Sequence, residues 1–215
     1  MFKSKVFVAE LIGTFALTFI GAGAGIMDAG LVGVALAHGL TLAVFAYAYG
    51  HVSGTHVNPA VTFGLALNKT VTWGDAVVNY WLAQFLGAAC AAGMLALTGQ
   101  DLAGAATSGP LTANMFPALL VEAVLTFFLV NTVLNAAVAG KAGNMAGWAI
   151  GATLTFAILM GGSLTGASLN PARTFGPALY TGGLAQVSTY VVYFVGPLLG
   201  AGVAAFVYKF LNDGK

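Results

Sequence analysis

Charge is what this sequence lacks most. Only 6% of its 215 residues are charged, against about a quarter in an ordinary soluble domain. So little charge cannot clothe a soluble core in hydrated side chains, and a soluble fold is excluded first. Seven Lys and Arg against six Asp and Glu leave a net charge of +1. The basic residues are scattered, so there is no footprint for nucleic acid. Cysteine is nearly missing. Cys90 stands alone, which rules out an intrachain disulfide and a multi-cysteine metal site. Its apolar neighbours suggest a small buried hydrophobe. No nucleophile–base pair and no metal-ligand cluster can be picked out, so neither enzymatic chemistry nor a cofactor is expected. A cleavable leader is not expected either, because the first apolar run is too long and has no clear cleavage site.

What is abundant is apolar length. Hydrophobic residues make up 59% of the chain, with 30 glycines. Glycine weakens soluble helices by roughly 1 kcal/mol but suits membrane helices that pack backbone to backbone. Six apolar runs can be marked, at Val6–Met27, Leu31–Tyr49, Ala76–Leu97, Met115–Val138, Met145–Gly161 and Val187–Phe210. A rise of about 1.5 Å per residue carries most of them across a core of about 30 Å. Met145–Gly161 is short for the task. The expected fold is therefore an all-α membrane protein, one transmembrane domain over residues 1–215 embedded in a lipid bilayer.

With six crossings, Lys3, Lys5, Lys69, Lys141, Lys209 and Lys215 fall on one side, and Asp28 and Asp101 on the other. The positive-inside rule then makes both termini cytoplasmic. Arg173 is the one basic residue this topology leaves unexplained.

The chain also repeats itself. Asn58-Pro59-Ala60 recurs at an offset of 112 as Asn170-Pro171-Ala172. The same ungapped register matches Glu10 with Glu122, Thr14 with Thr126, Gly39 with Gly151, Gly54 with Gly166, and Thr62-Phe63-Gly64 with Thr174-Phe175-Gly176. The halves, about 1–106 and 112–215, each hold three spans. An odd number forces the second half to enter from the opposite face, which makes an inverted repeat.

Asn is a favoured N-cap and Pro a favoured first helical residue. Each triplet therefore starts a helix, running to about Asn68 and about Tyr180. These are half-membrane lengths, so two re-entrant half-helices meet end to end at the midplane. The polar loops before them must line a cavity or be buried in protein. Facing N-termini place partial positive charge at the centre. With the Asn oxygen capping its helix, the amide NH₂ is expected to be free to donate into the lumen. Two such donors would orient a water and break a proton-conducting file, while the dipoles repel cations.

The segments His51–Gly64 and Ser163–Pro177 resemble the two signature loops of the aquaporins, or major intrinsic proteins. Ala9-Glu10 and Val195-Gly196-Pro197 extend the resemblance to nearly the whole chain. It implies one pore per subunit, a homotetramer, and passage of water and small neutral solutes. It also implies a four-residue outer filter, which falls here on His38, Ile158, Ala167 and Arg173. Water-selective members usually carry Phe where this chain has His38, and His where it has Ile158. His, Ile, Ala and Arg together look like the filter of tonoplast intrinsic proteins, so ammonia is expected alongside water. Glycerol facilitators are the competing branch. Thr174, Ala178 and Tyr193-Phe194 each depart from their usual pattern.

Glu10 and Glu122 are ionisable groups within membrane helices. They are expected to hold backbone N–H groups of the re-entrant loops, the alternative being a proton relay. His56 and His51 lie near the inner mouth, as fixed lining or as a pH sensor. Gly13, Gly21, Gly23, Gly87 and Ala91 read as helix contacts, and Trp73 and Trp81 as markers of the inner interface. A coupled secondary transporter is disfavoured because the re-entrant loops carry no acidic ligand. A closed, junctional protein would need long adhesive loops, which are missing. Short termini suggest a prokaryotic plasma membrane. With Ala167 at the family's mercury-reactive position, weak mercury inhibition is expected.

Overall fold

The computed structural model describes residues 1–212, and all regular structure among them is helical. Six helices are long and apolar enough to cross a membrane: α1 (Ser4–Ile26), α2 (Gly30–Ser53), α4 (Trp73–Ala96), α5 (Met115–Val138), α6 (Gly143–Thr165) and α8 (Val187–Asn212). Two shorter helices, α3 (Pro59–Leu67) and α7 (Pro171–Thr181), follow α2 and α6. The fifth span, short on sequence alone, gains length at both ends. The run ignored Ser163 and Thr165 as polar, yet the helix continues until Gly166 caps it at φ 83°. Gly54 caps α2 in the same way, also at φ 83°. A left-handed cap of this kind favours glycine, which has no Cβ to clash.

The chain path puts Lys3, Lys5, Lys69, Lys141 and Lys209 at one end of the bundle. Lys215, also used for orientation, lies outside the described residues. At that end Lys3 pairs with Asp75 at 2.8 Å, tying the N-terminal segment to α4.

Packing follows the repeat. Helix α1 lies on α2 and α4, and α5 lies on α6 and α8. The short helices cross over: α7 packs against α4 and α3 against α8. The halves meet chiefly through α2 and α6. There Gly39 faces its own equivalent, Gly151. A Cβ on Gly39 would lie 2.6 Å from the Gly151 carbonyl oxygen, a close backbone approach that only small residues permit. Repeat-equivalent residues can touch only where they sit near the twofold axis. That contact therefore marks one point on the axis.

The outward faces are apolar. Val32, Leu36, Leu40 and Val44 form an exposed stripe along α2 at helical spacing, as a lipid-facing surface requires. Cys90 corrects the expectation of a buried thiol, because it is exposed on α4. Trp73 is exposed near the start of α4. Trp81 does not mark the interface: two turns further in, its indole N–H donates to the Pro59 carbonyl at 3.2 Å.

Candidate functional site

Each re-entrant loop is built around one buried carboxylate. Glu10 accepts from the backbone N–H of His56 (2.9 Å) and Val57 (2.7 Å), from the Ser53 hydroxyl (2.6 Å) and from the Gln84 amide (2.8 Å). Glu122 accepts from the N–H of Ser168 (3.0 Å) and Leu169 (2.8 Å) and from the Thr165 hydroxyl (2.7 Å). Both side chains are fully buried. A buried carboxylate is tolerated only when its oxygens are satisfied, and these are.

Peptide planarity carries the consequence across the chain. In a trans peptide the carbonyl points opposite to the N–H of the next residue. With the N–H groups of His56 and Val57 on Glu10, the carbonyls of Thr55 and His56 point away from it. Both residues line the lumen. The carbonyls of Ala167 and Ser168 likewise point away from Glu122, and Ser168 lines the lumen. Thr55, Val57, Ala167 and Leu169 all have positive φ, between 41° and 55°. Such geometry costs of order 1–3 kcal/mol per residue, so the loops need the carboxylates to hold them.

The two asparagines meet at the axis. Asn58 Oδ1 caps α3 by accepting from the Ala60 N–H at 2.8 Å, and Asn170 Oδ1 caps α7 through Ala172 at 3.0 Å. Each Nδ2 then donates across the axis, Asn58 to the Leu169 carbonyl and Asn170 to the Val57 carbonyl, both at 2.8 Å. This corrects the expectation of a free NH₂. One hydrogen of each amide is spent on the opposite loop, and one remains for the lumen. Pro59, Ala60, Pro171 and Ala172 are buried at the helix starts.

The lumen between these elements is enclosed and narrow, with about 20 Å³ of water-accessible space. One water needs about 10–15 Å³ by that measure, so the enclosed lumen has room for one or two waters and not a pool. One wall is polar: Asn58, Asn170, Arg173 and the loop backbone. The other is apolar, with Leu17, Leu42, Leu129 and Leu154 among its residues. Toward the end of the bundle that carries the lysines, the lumen adjoins a wide vestibule of about 590 Å³. His51 lines the vestibule. His56 lines both spaces at their junction. It is stacked on Tyr80 at 4.3 Å and bonded to the Thr62 hydroxyl at 3.1 Å.

Of the four outer-filter positions, the structure brings two into contact. Arg173 Nε donates to His38 Nε2 at 3.2 Å, and Nη1 donates to the Ala105 carbonyl at 3.0 Å. His38 Nδ1 faces the Val34 carbonyl at 2.9 Å. A carbonyl only accepts, so Nδ1 carries the proton and Nε2 is the bare acceptor that arginine requires. Arginine has five N–H groups. Two are bound, which leaves three for a solute. Ile158 and Ala167 are buried in the apolar cluster with Leu125 and Leu129 and are not among the residues lining the enclosed lumen.

Some site residues escaped the sequence reading. Tyr80 donates to the Ser53 carbonyl at 2.9 Å, and Tyr193 to the Thr165 carbonyl. They do equivalent work at an offset of 113, one residue out of register. Both lie in wide π-type turns, Ala76–Trp81 and Val191–Val195, and the one-residue shift between them hides their equivalence from an ungapped comparison. Val61 and Ile150 also line the lumen. The offset of 112 would have found them, as equivalents of Arg173 and His38. Ala105, which holds Arg173, lies in an outer loop with no motif to mark it.

The family model of the major intrinsic proteins matches residues 1–208. The chain is 40% identical to a protein named probable aquaporin TIP2-2 from Oryza sativa subsp. japonica, over 96% of this chain and 87% of that protein. It is also 40% identical to glycerol uptake facilitator protein-like 6 of Lactiplantibacillus plantarum, over 97% of this chain and 99% of that protein. Among solved structures, an aquaglyceroporin from Plasmodium falciparum shares the fold, with a TM-score of 0.76 at 24% identity. That match covers 98% of this chain and 96% of the other.

Proposed function

The chain belongs to the major intrinsic protein family, and from that premise we propose that its lumen conducts water, admits ammonia as a second solute, and excludes protons and ions. As a member of the family it is a passive, multi-pass membrane channel for water and small solutes, and not an enzyme. Which solutes pass is the part proposed here.

The carrying observation is the reciprocal pair of asparagine bonds across the axis. It leaves one N–H on each amide beside a lumen with room for one or two waters. Two donors converging on one water oxygen turn both of its hydrogens away. A proton-hopping chain needs a uniform direction of donation, and here the direction reverses. The helix N-termini behind the asparagines add positive potential against cations.

For ammonia, the supporting residues are His38 and Arg173 on the polar side of the outer filter and apolar Ile158 and Ala167 completing the set. A polyol is the second reading, favoured by the relative whose name makes it a glycerol uptake facilitator-like protein. Thr174, Ala178 and Tyr193-Phe194 support the water branch instead. Tyr193 is spent on the Thr165 carbonyl, so that position serves the loop. Ion-coupled transport finds no support. Among the described residues no acidic side chain lines the lumen, and the Glu10 and Glu122 carboxylates are occupied by loop donors.

We place the termini in the cytoplasm from the lysine asymmetry, take a prokaryotic plasma membrane as the setting, and expect a homotetramer from family membership. His56, held by Tyr80 and Thr62, and His51 in the vestibule are assigned as fixed lining and not as pH sensors. The test is stopped-flow shrinkage of proteoliposomes under a sucrose gradient, with glycerol and methylamine influx measured on the same vesicles. Fast water flux with low activation energy, methylamine influx above empty vesicles and slow glycerol entry are expected. Glycerol entering as readily as water would move the chain to the polyol branch.

A further inference from the structure

Helix α1 turns one residue per turn toward the pore: Gly13, Leu17, Gly21 and Gly25, each four apart. Leu17 lines the lumen. The glycines around it each face a different part of the conduction path. A Cβ on Gly13 would lie 2.5 Å from Val57 Cγ1. A Cβ on Gly21 would lie 2.5 Å from Nε2 and 2.6 Å from Cγ of His38. At Gly25 it would strike the Gly104 carbonyl, and a Cβ on Gly104 would lie 3.0 Å from the Gly25 oxygen. Ordinary contact begins at 3.4 Å.

The contacts of Gly21 and Gly25 converge on Arg173. His38, seated on Gly21, accepts from its Nε. Ala105, the neighbour of Gly104 in the loop seated on Gly25, accepts from its Nη1. We infer that Gly21 is a specificity-determining positioning residue: by leaving room for the His38 ring against α1, it sets where the Arg173 guanidinium stands in the filter. The inference rests on the conduction reading above.

The repeat supplies an independent comparison. The equivalents of Gly21, His38 and Arg173 are Val133, Ile150 and Val61, all lining the lumen. Where the half-site holds no ring and no guanidinium, the residue at the Gly21 position is large. Where it holds both, that residue is glycine. Gly21 also faces a side chain. Gly87 faces instead the backbone of Leu11 and Phe15.

An added methyl at Gly21 must push the ring off α1. Val34 lies on the same helix as His38 and holds Nδ1, so the ring swings toward the lumen and Nε2 leaves Arg173. The guanidinium then keeps only its Ala105 anchor and shifts within the enclosed lumen that it lines.

Four proteins decide this in proteoliposomes: wild type, Gly21→Ala, His38→Ala and the double variant. Water permeability, the methylamine-to-water ratio and the melting temperature in detergent are measured on each. Gly21→Ala is expected to lower water permeability about tenfold, the worth of one hydrogen bond in a barrier, and to shift the solute ratio. In the His38→Ala background the same change should alter neither by more than about twofold, as expected for sites coupled only through the missing ring. Folding of the double variant where Gly21→Ala alone fails to fold supports the same assignment. An equal loss in both backgrounds, failure of both variants to fold, or unchanged flux and ratio in Gly21→Ala would overturn it. If the wild type passes water no faster than empty vesicles, the conduction reading falls. The seat is then judged on melting temperature: a drop for Gly21→Ala that vanishes without His38 keeps the assignment, and the same drop in both backgrounds ends it.

Discussion

Replacing Glu10 by Gln separates a scaffold from a proton relay. The carboxylate collects four donors, two on each oxygen. An amide offers one oxygen and one NH₂, so it can satisfy two of them and must oppose the other two. The better arrangement keeps the oxygen on Ser53 and His56 and turns the new NH₂ toward Val57 and Gln84. Gln84 can adapt. Its Oε1 is buried without a partner, and turning its amide presents that oxygen to the new donor at the expense of the Nε2 bond to the Thr62 hydroxyl. The Val57 N–H cannot adapt and is orphaned. One orphaned buried donor costs about 1–3 kcal/mol, and the bonds that remain lose their charge assistance, so the total is about 3–5 kcal/mol. That is a large share of an ordinary stability of about 5–15 kcal/mol. The melting temperature should fall by roughly 10 °C, and reconstituted yield with it. Water permeability per folded protein should change far less. The assay pairs thermal unfolding in detergent with stopped-flow and pH-dye measurements on vesicles. Unchanged melting with a selective change in proton movement would refute the scaffold argument and revive the relay.

Asn58→Ala and Asn170→Ala each remove a helix cap, worth about 1 kcal/mol, together with a cross-axis bond and a lumen donor. Because the bonds are reciprocal, the two variants should lose water permeability to a similar degree in stopped-flow assays. A large loss in one and none in the other would contradict a shared central station. Mercury should react with Cys90, which is exposed and away from the lumen lining, without blocking water flux. A block that persists in Cys90→Ser would mean that another group narrows the pore.

Much of this architecture was legible from the chain, and the reason lies in the membrane. Backbone polar groups in a bilayer must be satisfied internally, so a polar Asn-Pro start between apolar spans has few places to go. Glu10 and Glu122 were legible for the same reason, since an intramembrane carboxylate needs donors and a re-entrant loop has them. What stayed hidden depends on side-chain direction. Asn58 carries two amide hydrogens, and nothing in the sequence says that one reaches the Leu169 carbonyl. His38 was visible as a filter position, but its tautomer follows from Val34 on one side and Arg173 on the other. Cys90 looked like any apolar-stretch cysteine, because a lipid-facing and a protein-facing position have the same composition. Ala105 acts through its backbone and leaves no trace in residue type.

The twofold axis also sorts the residues by task, and that sorting can be tested. The frame common to both halves comprises the carboxylates, the asparagines, the glycine caps and the positive-φ loop residues. The frame is therefore indifferent to which side a solute enters from. The halves differ in what stands on the frame: His38 and Arg173 at the outer-filter positions, Ile150 and Val61 at the equivalent positions of the other half-site. If the outer pair sets solute choice and the frame sets passage, the double change His38→Ile with Arg173→Val makes the outer half resemble the inner one and leaves the frame untouched. No buried partner is stranded, because the Ala105 carbonyl freed by the change faces the space the guanidinium vacates and can be hydrated there. Water permeability should remain within a few-fold of wild type, since no bond of the asparagine station is altered. Discrimination should relax. Three N–H donors that favour a correctly placed solute oxygen disappear along with the bulk around them, and a lost bidentate contact is worth about tenfold or more. The glycerol-to-water and methylamine-to-water ratios should both rise by that order in parallel influx assays. Unchanged ratios would mean that selection is made at the asparagines or in the inner half, and the division of labour drawn from the axis would be wrong.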